Sequence, residues 1–262
     1  MKIKWRGIVF LGVLGILMSM TMPAIAEEGY PLRAKFPHVK VISTEALHKD
    51  YEKNIIVDVR SKIEFDVIHV NKAVFEPITT MLFAKNLEKI RDRSGDRPIV
   101  FYCNGHTCIK SYEAADQAMK AGFQNVLVYD AGINEWAKAH PEKTTLFGKT
   151  PAALNKLISK EMFDKRKISF QDFKKRSADA DAMVIDAREP FQRKEIPQLS
   201  GTIRNIPSDR LVELIKKGEF KAKQLLIMDA VGKQVEWIQY YLEDAKYTNY
   251  FFLDKGVDGA PR

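Results

Sequence analysis

Two cysteines lie close together in the chain, and they are the residues best able to carry chemistry. Cys103 and Cys108 are the only two cysteines among 262 residues, and both fall in Pro98–Ser111, which reads PIVFYCNGHTCIKS. A disulfide between residues this near in sequence would close a short loop and stabilise the fold little. The pair therefore favours a functional use, with Cys103 as a nucleophile.

The residues around Cys103 predict a setting that activates a thiol. Ile99–Tyr102 has the β-branched and aromatic content of a buried strand, and a helix is predicted over Ser111–Ala121. A thiol between a strand end and a helix N-terminus faces loop N–H groups and the positive end of the helix dipole. Both favour the thiolate, so the sequence predicts a nucleophile or an anion site.

The loop after Cys103 supplies the candidate substrate-binding residues. They are Asn104, Gly105, His106, Thr107, Cys108, Ile109, Lys110 and Ser111. A bound anion would explain Lys110, because a lysine at a helix N-terminus is otherwise unfavourable. His106 is either a substrate ligand or general acid, or an exposed residue without a role. Cys108 is either a resolving thiol for Cys103 or an inert residue at the helix start.

The first 26 residues have the pattern of an export signal. Lys2, Lys4 and Arg6 precede an apolar stretch, and residues 24–26 form an Ala-Ile-Ala cleavage site. We expect residues 1–26 to be a cleaved signal peptide and the protein to be periplasmic or secreted, with no membrane attachment after cleavage. An uncleaved membrane anchor is the alternative.

The composition and charge limit the classes of molecule that the protein is expected to bind. The formal net charge is +8, with basic and acidic residues mixed along the chain and no basic stripe interleaved with aromatic residues. We therefore expect no nucleic-acid partner, whereas a cationic surface suits small anionic substrates. No Cys/His cluster has metal-ligand spacing and no Gly-rich phosphate motif occurs, so we predict no metal and no cofactor.

Strands alternate with helices along the chain, which predicts a parallel sheet covered on both faces. Asn54–Arg60 contains a buried strand, and Thr79–Arg91 has the apolar spacing of an amphipathic helix, with Met81 and Leu82 among its apolar positions. Residues 142–167 break the alternation except for a helical stretch over Ala152–Phe163. We interpret this segment as a packed linker between domain 36–141 and domain 168–262.

The second domain repeats the first. The strand that ends in Asp58 and Arg60 is matched by one that ends in Asp186 and Arg188, 128 positions later. Because the Asp–Arg pair occurs in both copies, we expect Asp58 and Arg60 to be structural neighbours of the loop rather than chemical groups.

The second copy has Asp229 at the position of Cys103, followed by a shorter loop. A carboxylate cannot act as a thiol nucleophile, so this domain is predicted to be catalytically silent. Asp229 and Lys233 could bind a cation or a partner, or they could be the remains of a lost site.

In order and spacing these features resemble the rhodanese (thiosulfate sulfurtransferase) family with two tandem domains. The resemblance covers Val39–Arg262 and is carried by Val57-Asp58-Val59-Arg60, Glu64-Phe65, Ile68-His69, Tyr102-Cys103 and Asp130–Trp136. It implies an α/β fold of two rhodanese-like domains, each a parallel sheet flanked by helices. It also implies a persulfide mechanism in which Cys103 takes sulfur from a donor such as thiosulfate and passes it to cyanide, a thiol or a partner protein.

The loop departs from the family pattern in length, in its second cysteine and in having Lys110 where an arginine is usual. A longer loop is similar to those of phosphatases and arsenate reductases of this fold, but no arginine lies between Cys103 and Ser111. Two alternatives therefore stand beside the sulfurtransferase. One is a non-catalytic sulfur carrier or thiol redox protein that uses both cysteines, and the other is a cysteine-dependent phosphatase or arsenate reductase.

Overall fold

The computed structural model describes residues 29–195 and 197–261, so the predicted signal peptide lies outside the described residues. The strands are β1 Ile55–Asp58, β2 Ile68–Val70, β3 Val74–Phe75, β4 Ile99–Tyr102, β5 Val126–Tyr129, β6 Thr144–Leu146, β7 Lys167–Ile168, β8 Ala182–Asp186, β9 Ile203–Asn205, β10 Gln224–Met228 and β11 Tyr250–Leu253. The helices are α1 Pro31–Lys35, α2 Thr44–Lys49, α3 Lys62–Val67, α4 Phe83–Ser94, α5 Lys110–Lys120, α6 Gly132–Ala139, α7 Lys160–Asp164, α8 Phe170–Arg176, α9 Ser208–Lys216 and α10 Gln234–Asp244. None of the helices in these two ranges is both long and apolar enough to cross a membrane.

Nine of the eleven strands in the described residues form two parallel sheets with matching strand order, and β2 and β6 form a separate antiparallel pair. The first sheet runs β3-β1-β4-β5 and the second runs β9-β8-β10-β11-β7. In the first sheet, a parallel bridge between Val41 and Val128 adds a residue beside β5. In the second sheet, β7 occupies the corresponding position beside β11. The predicted α/β fold, with two parallel sheets flanked by helices, is confirmed.

Alternation along the strands gives the first sheet two apolar faces. Ile56 and Val100 lie on the face that packs against Trp136 of α6. Val57 and Phe101 lie on the opposite face, among buried residues of α4 and α5. Burial on both faces explains why β1 and β4 consist almost entirely of apolar residues. It also places the carboxyl ends of these strands, where Cys103 follows β4, at one edge of the sheet.

The two sheets share one apolar cluster, so the second half of the chain packs directly against the first. The hydroxyl of Tyr241 on α10 donates a hydrogen bond to the carbonyl oxygen of Ile63 on α3, at 3.3 Å. The ring of Trp237, also on α10, lies 5.4 Å from the guanidinium of Arg60. Helix α10 therefore supports the region beneath the cysteine loop.

The helix predicted over Thr79–Arg91 begins later than expected. Helix α4 starts at Phe83, and Met81 and Leu82 are exposed rather than packed. Two successive turns precede it, closed by hydrogen bonds from the Thr80 amide to the Pro77 carbonyl and from the Phe83 amide to the Thr80 carbonyl. The buried Phe83 ring then anchors the helix against the sheet.

The helical stretch predicted over Ala152–Phe163 is also wrong as a single element. The chain forms a 3-10 turn over Leu154–Lys156 and then α7, whose N-cap Ser159 accepts a hydrogen bond from a backbone amide. Between them the Ile158 amide donates to the Tyr240 hydroxyl instead of to a helical carbonyl. The segment packs as expected, because β6 pairs antiparallel with β2.

Candidate active site

Cys103 directly follows β4 and is 1% exposed. The turn after β5, residues 130–132, holds the Cys103 backbone in place. The Ile133 amide, directly after this turn, donates a hydrogen bond to the Cys103 carbonyl at 3.0 Å. Gly132, at φ +72°, lies so close to the loop that a Cβ there would meet the Gly105 nitrogen at 2.4 Å. Only glycine fits this position, so the Asp-Ala-Gly turn is part of the loop's support.

Cys103 and Cys108 are joined by a disulfide, with Cα atoms 6.2 Å apart. The loop between them is turned by a hydrogen bond from the Cys108 amide to the Gly105 carbonyl, at 2.8 Å. Of the two interpretations of Cys108, the disulfide favours the one in which Cys108 is a resolving thiol. In this form neither sulfur is a thiolate, so the chemistry predicted for Cys103 requires reduction first.

Asp58 and Arg60 form a buried ion pair beneath the loop. Arg60 Nη2 lies 2.7 Å from Asp58 Oδ2, and both side chains are fully buried. Tyr102 donates its hydroxyl to the same carboxylate at 2.5 Å. The pair Asp186 and Arg188 repeats this geometry at 2.8 Å in the second half, which has no cysteine. The structural role predicted for Asp58 and Arg60 fits this repetition.

Asn104 links the loop to two buried charged residues, Arg60 and Glu64. Its side-chain oxygen accepts a hydrogen bond from Arg60 Nη1 at 3.0 Å, and its amide donates to Glu64 Oε1 at 2.6 Å. Sequence reasoning did not select Glu64 as a site residue. The signal was present as a capping box, because Ser61 and Glu64 stand three residues apart at the start of α3.

Lys110 and Glu64 set the charge at the far end of the loop. Lys110 Nζ lies 3.7 Å from Glu64 Oε2, and the lysine is 40% exposed whereas Glu64 is buried. Burial alone would raise the pKa of Glu64, but Arg60, then Lys110 and the Asn104 hydrogen bond, outweigh it and lower that pKa. Glu64 is therefore a carboxylate at neutral pH, and Lys110 keeps a partly exposed ammonium near the loop.

His106 lies at the outer side of the loop. Its Nε2 is 3.5 Å from Glu135 Oε2, and its ring stacks on Tyr30 with centroids 4.1 Å apart. Tyr30 carried no recognisable signal, and Glu135, although it lies in the Asp130–Trp136 motif, was not predicted to reach the loop. Of the remaining loop residues, Thr107 is exposed, while Ile109 and Ser111 stand at the start of α5.

The second half shows what the same loop position does with a carboxylate. Asp229 is 2% exposed, and its oxygens accept hydrogen bonds from the backbone amides of Gly232, Gln234 and Val235. The side chain after the central strand is thus enclosed by loop amides and the start of α10. Because the oxygens face N–H groups, the arrangement does not suit the cation that Asp229 and Lys233 could have bound. Burial outweighs these hydrogen bonds and raises the pKa of the Asp229 carboxyl.

We expect Asp229→Ala to lower the free energy of unfolding by about 2 kcal/mol, because one buried and two part-buried N–H groups lose their acceptor. Urea denaturation followed by circular dichroism measures the change. Lys233→Ala, an exposed residue of the same loop, is the matched control and should change stability by less than about 0.5 kcal/mol. Equal stability of the two variants would contradict this role of Asp229.

Comparisons with known proteins found a family match that includes the cysteine loop. Residues 43–139 match the family described as Rhodanese-like domain. The probable adenylyltransferase/sulfurtransferase MoeZ of Mycobacterium tuberculosis is 34% identical over 86 residues, which cover 33% of this chain and 21% of that protein. The HTH-type transcriptional regulator Rv0324 of the same organism is 34% identical over 84 residues, covering 32% of this chain and 34% of that protein.

Solved structures match as well. The BH2092 protein of Bacillus halodurans is 25% identical with a TM-score of 0.37, over 45% of this chain and 85% of that one. A thiosulfate sulfurtransferase from Pseudomonas aeruginosa is 19% identical with a TM-score of 0.37, over 84% of this chain and 41% of that one. The chain covers between a fifth and about a third of the two curated relatives named above. The family match contains the cysteine loop, and the second sheet lies outside it.

Proposed function

We propose that the rhodanese-like domain formed by residues 43–139 is the active unit of a sulfurtransferase, with Cys103 as its nucleophile. The observation that carries the proposal is the position of Cys103 at the end of β4, inside a loop fastened by Asn104 and closed by Gly132. The family match supports sulfur transfer at a general level, and MoeZ is itself described as a probable sulfurtransferase.

The proposed reaction has two half-reactions with no net change in oxidation state. The Cys103 thiolate attacks the outer sulfur of a donor such as thiosulfate, the donor's S–S bond breaks, and its electron pair leaves with sulfite. Cys103 then carries a persulfide. Cyanide, a thiol or the cysteine of a partner protein attacks the outer sulfur, and the thiolate returns. No cofactor takes part in this mechanism.

In the second half of the chain, loop amides donate hydrogen bonds to the side chain at this position, although burial outweighs them and raises the pKa of the Asp229 carboxyl. Asp229 occupies the place of Cys103 and is enclosed by loop amides. We propose that the amides of the first loop, between Asn104 and Lys110, enclose the thiolate and the persulfide in the same way after the disulfide is reduced. Such amides lower the pKa of a thiol and stabilise charge that develops on sulfur.

Lys110 is the proposed contact for the anionic donor. Its ammonium is partly exposed and pairs with Glu64 at 3.7 Å, a long separation that leaves N–H groups for a second anion. His106 is held between Tyr30 and Glu135, and we assign it no chemical step.

The disulfide favours a second candidate function, a thiol redox protein. In this function a partner dithiol reduces the bond between Cys103 and Cys108, becoming a disulfide itself as two electrons and two protons pass to the cysteine pair. The two functions are compatible if reduction precedes sulfur transfer. They differ in whether the reduced protein accepts a sulfur atom.

The phosphatase or arsenate reductase alternative lacks the arginine that a tetrahedral oxyanion needs. Arg60 lies beneath the loop, but its guanidinium already donates to Asp58, Asn104 and the Ile68 carbonyl. Lys110 offers a point charge instead of a bidentate fork. We therefore place this alternative behind the other two.

The second domain, residues 168–262, is proposed to support the first without chemistry of its own. The periplasm is the proposed location, on the pattern of residues 1–26, and a periplasmic protein is a possible sulfur acceptor there. The proposed domain boundaries, 36–141 and 168–262, follow the repeat in the sequence.

Steady-state kinetics of the reduced protein tests the sulfurtransferase. With thiosulfate as donor and cyanide as acceptor, we expect thiocyanate to form with parallel lines in double-reciprocal plots, since a persulfide intermediate separates the two half-reactions. Intersecting lines would contradict a persulfide intermediate. Absence of thiocyanate together with turnover of an aryl phosphate would instead support the phosphatase.

A further inference from the structure

Two histidines and a glutamate meet on the surface of the first domain, away from the cysteine loop. His48 lies in the last turn of α2, His140 caps the C-terminus of α6, and Glu142 follows in a 3-10 turn. His48 Nε2 is 3.7 Å and His140 Nδ1 is 3.4 Å from Glu142 Oε1. One ligand atom from each residue lies within 4.8 Å of the other two.

These separations are close to those of a tetrahedral metal site. Two ligands bound to zinc at about 2.1 Å lie about 3.4 Å apart. The two histidine–glutamate distances already meet this value, and only the two histidine nitrogens need to converge. The rings are stacked with centroids 3.8 Å apart. His48 is the more exposed ring, so we expect it to turn out of the stack when a metal binds.

The surroundings favour a cation. His48 and His140 stand at the carboxyl ends of their helices, where the backbone carbonyls give a partial negative charge. Glu45, in the first turn of α2, adds a negative charge near His140.

We propose that His48, His140 and Glu142 form a binding site for a divalent late transition metal such as zinc, with a fourth position open to water or a small ligand. The site is distinct from the cysteine loop, because the N-terminal end of α6 contacts the loop and His140 stands at its other end, about 12 Å away for an eight-residue helix. The sequence predicted no metal because His48 is far in sequence from His140 and Glu142, and the fold brings the three together.

Calorimetric titration of the tag-free protein with Zn²⁺ alone tests the site. The disulfide form is used so that thiols do not compete, and the titration is repeated on Cys103→Ser/Cys108→Ser. We expect one Zn²⁺ per chain, bound about a hundredfold more weakly, or not at all, by His48→Gln and by Glu142→Gln. Even groups outside the first coordination sphere are commonly worth about 10–100-fold in affinity.

His38→Gln is the matched control, because His38 is also an exposed histidine beside a carboxylate, 2.7 Å from Asp116. It should bind Zn²⁺ as the wild type does. Circular dichroism confirms that the variants are folded. The proposal is overturned if the wild type takes up no Zn²⁺, if His48→Gln and Glu142→Gln bind it unchanged, or if His38→Gln weakens binding as much as they do.

Discussion

Cys103→Ser is expected to reduce sulfur transfer to the uncatalysed background, a loss of about 10⁴-fold or more. A serine hydroxyl is far less acidic than a thiol, and its oxygen cannot carry the transferred sulfur as a persulfide. The measurement is the rate of thiocyanate formation from thiosulfate and cyanide after reduction of the protein. Because Cys103 is 1% exposed, a serine hydroxyl there is buried among apolar groups, so circular dichroism is used to check that the variant is folded.

Cys108→Ser is the matched control for this result. It removes the other sulfur of the same loop, and in the proposed mechanism it leaves the nucleophile intact. We expect it to keep most of the rate of the reduced wild-type protein. Loss of activity in Cys108→Ser together with retention in Cys103→Ser would exchange the roles assigned to the two cysteines.

The disulfide is expected to switch the reaction off completely. While Cys103 is bonded to Cys108, no thiolate is available to attack a donor, so the oxidised protein should show only the background rate. Incubation with a dithiol should restore the full rate, a change of the same order as Cys103→Ser. Rates are measured before and after reduction, with the number of free thiols counted in each sample.

Cys108→Ser again provides the control, because it cannot form the internal disulfide. Its rate should not depend on the dithiol. If the wild-type protein, with its disulfide verified as intact, transfers sulfur as fast as the reduced protein, then the bond does not control the nucleophile and the resolving role of Cys108 is wrong.

Much of the fold could be predicted from the sequence because the strands are buried on both faces. Continuous apolar runs such as Ile99–Tyr102 are readable in a single sequence, and their repetition predicted the second sheet. Helix starts were harder to predict. Met81 and Leu82 fit the apolar spacing of the predicted helix, yet two consecutive turns after Pro77 delay its start to Phe83. Such local hydrogen bonds leave little trace in the spacing of apolar residues.

The candidate site was predictable in its centre and not at its edges. Cys103 and the Asp58–Arg60 pair stand out by residue type and by repetition. Glu64 and Glu135 reach the loop only through the folded backbone, from α3 and α6. The spacing of Cys103 and Cys108 allowed either a disulfide or two free thiols, because side-chain geometry, and not sequence distance, decides whether a bond forms.

The central claim is that Cys103 carries a sulfur atom between donor and acceptor. Intact mass measurement of the reduced protein after treatment with thiosulfate tests it most directly. The account predicts a gain of one sulfur atom that disappears on addition of cyanide and that Cys103→Ser does not show. If no sulfane donor adds sulfur to the reduced protein, while mild oxidation removes two hydrogen atoms, the sulfurtransferase is contradicted and the thiol redox protein is favoured.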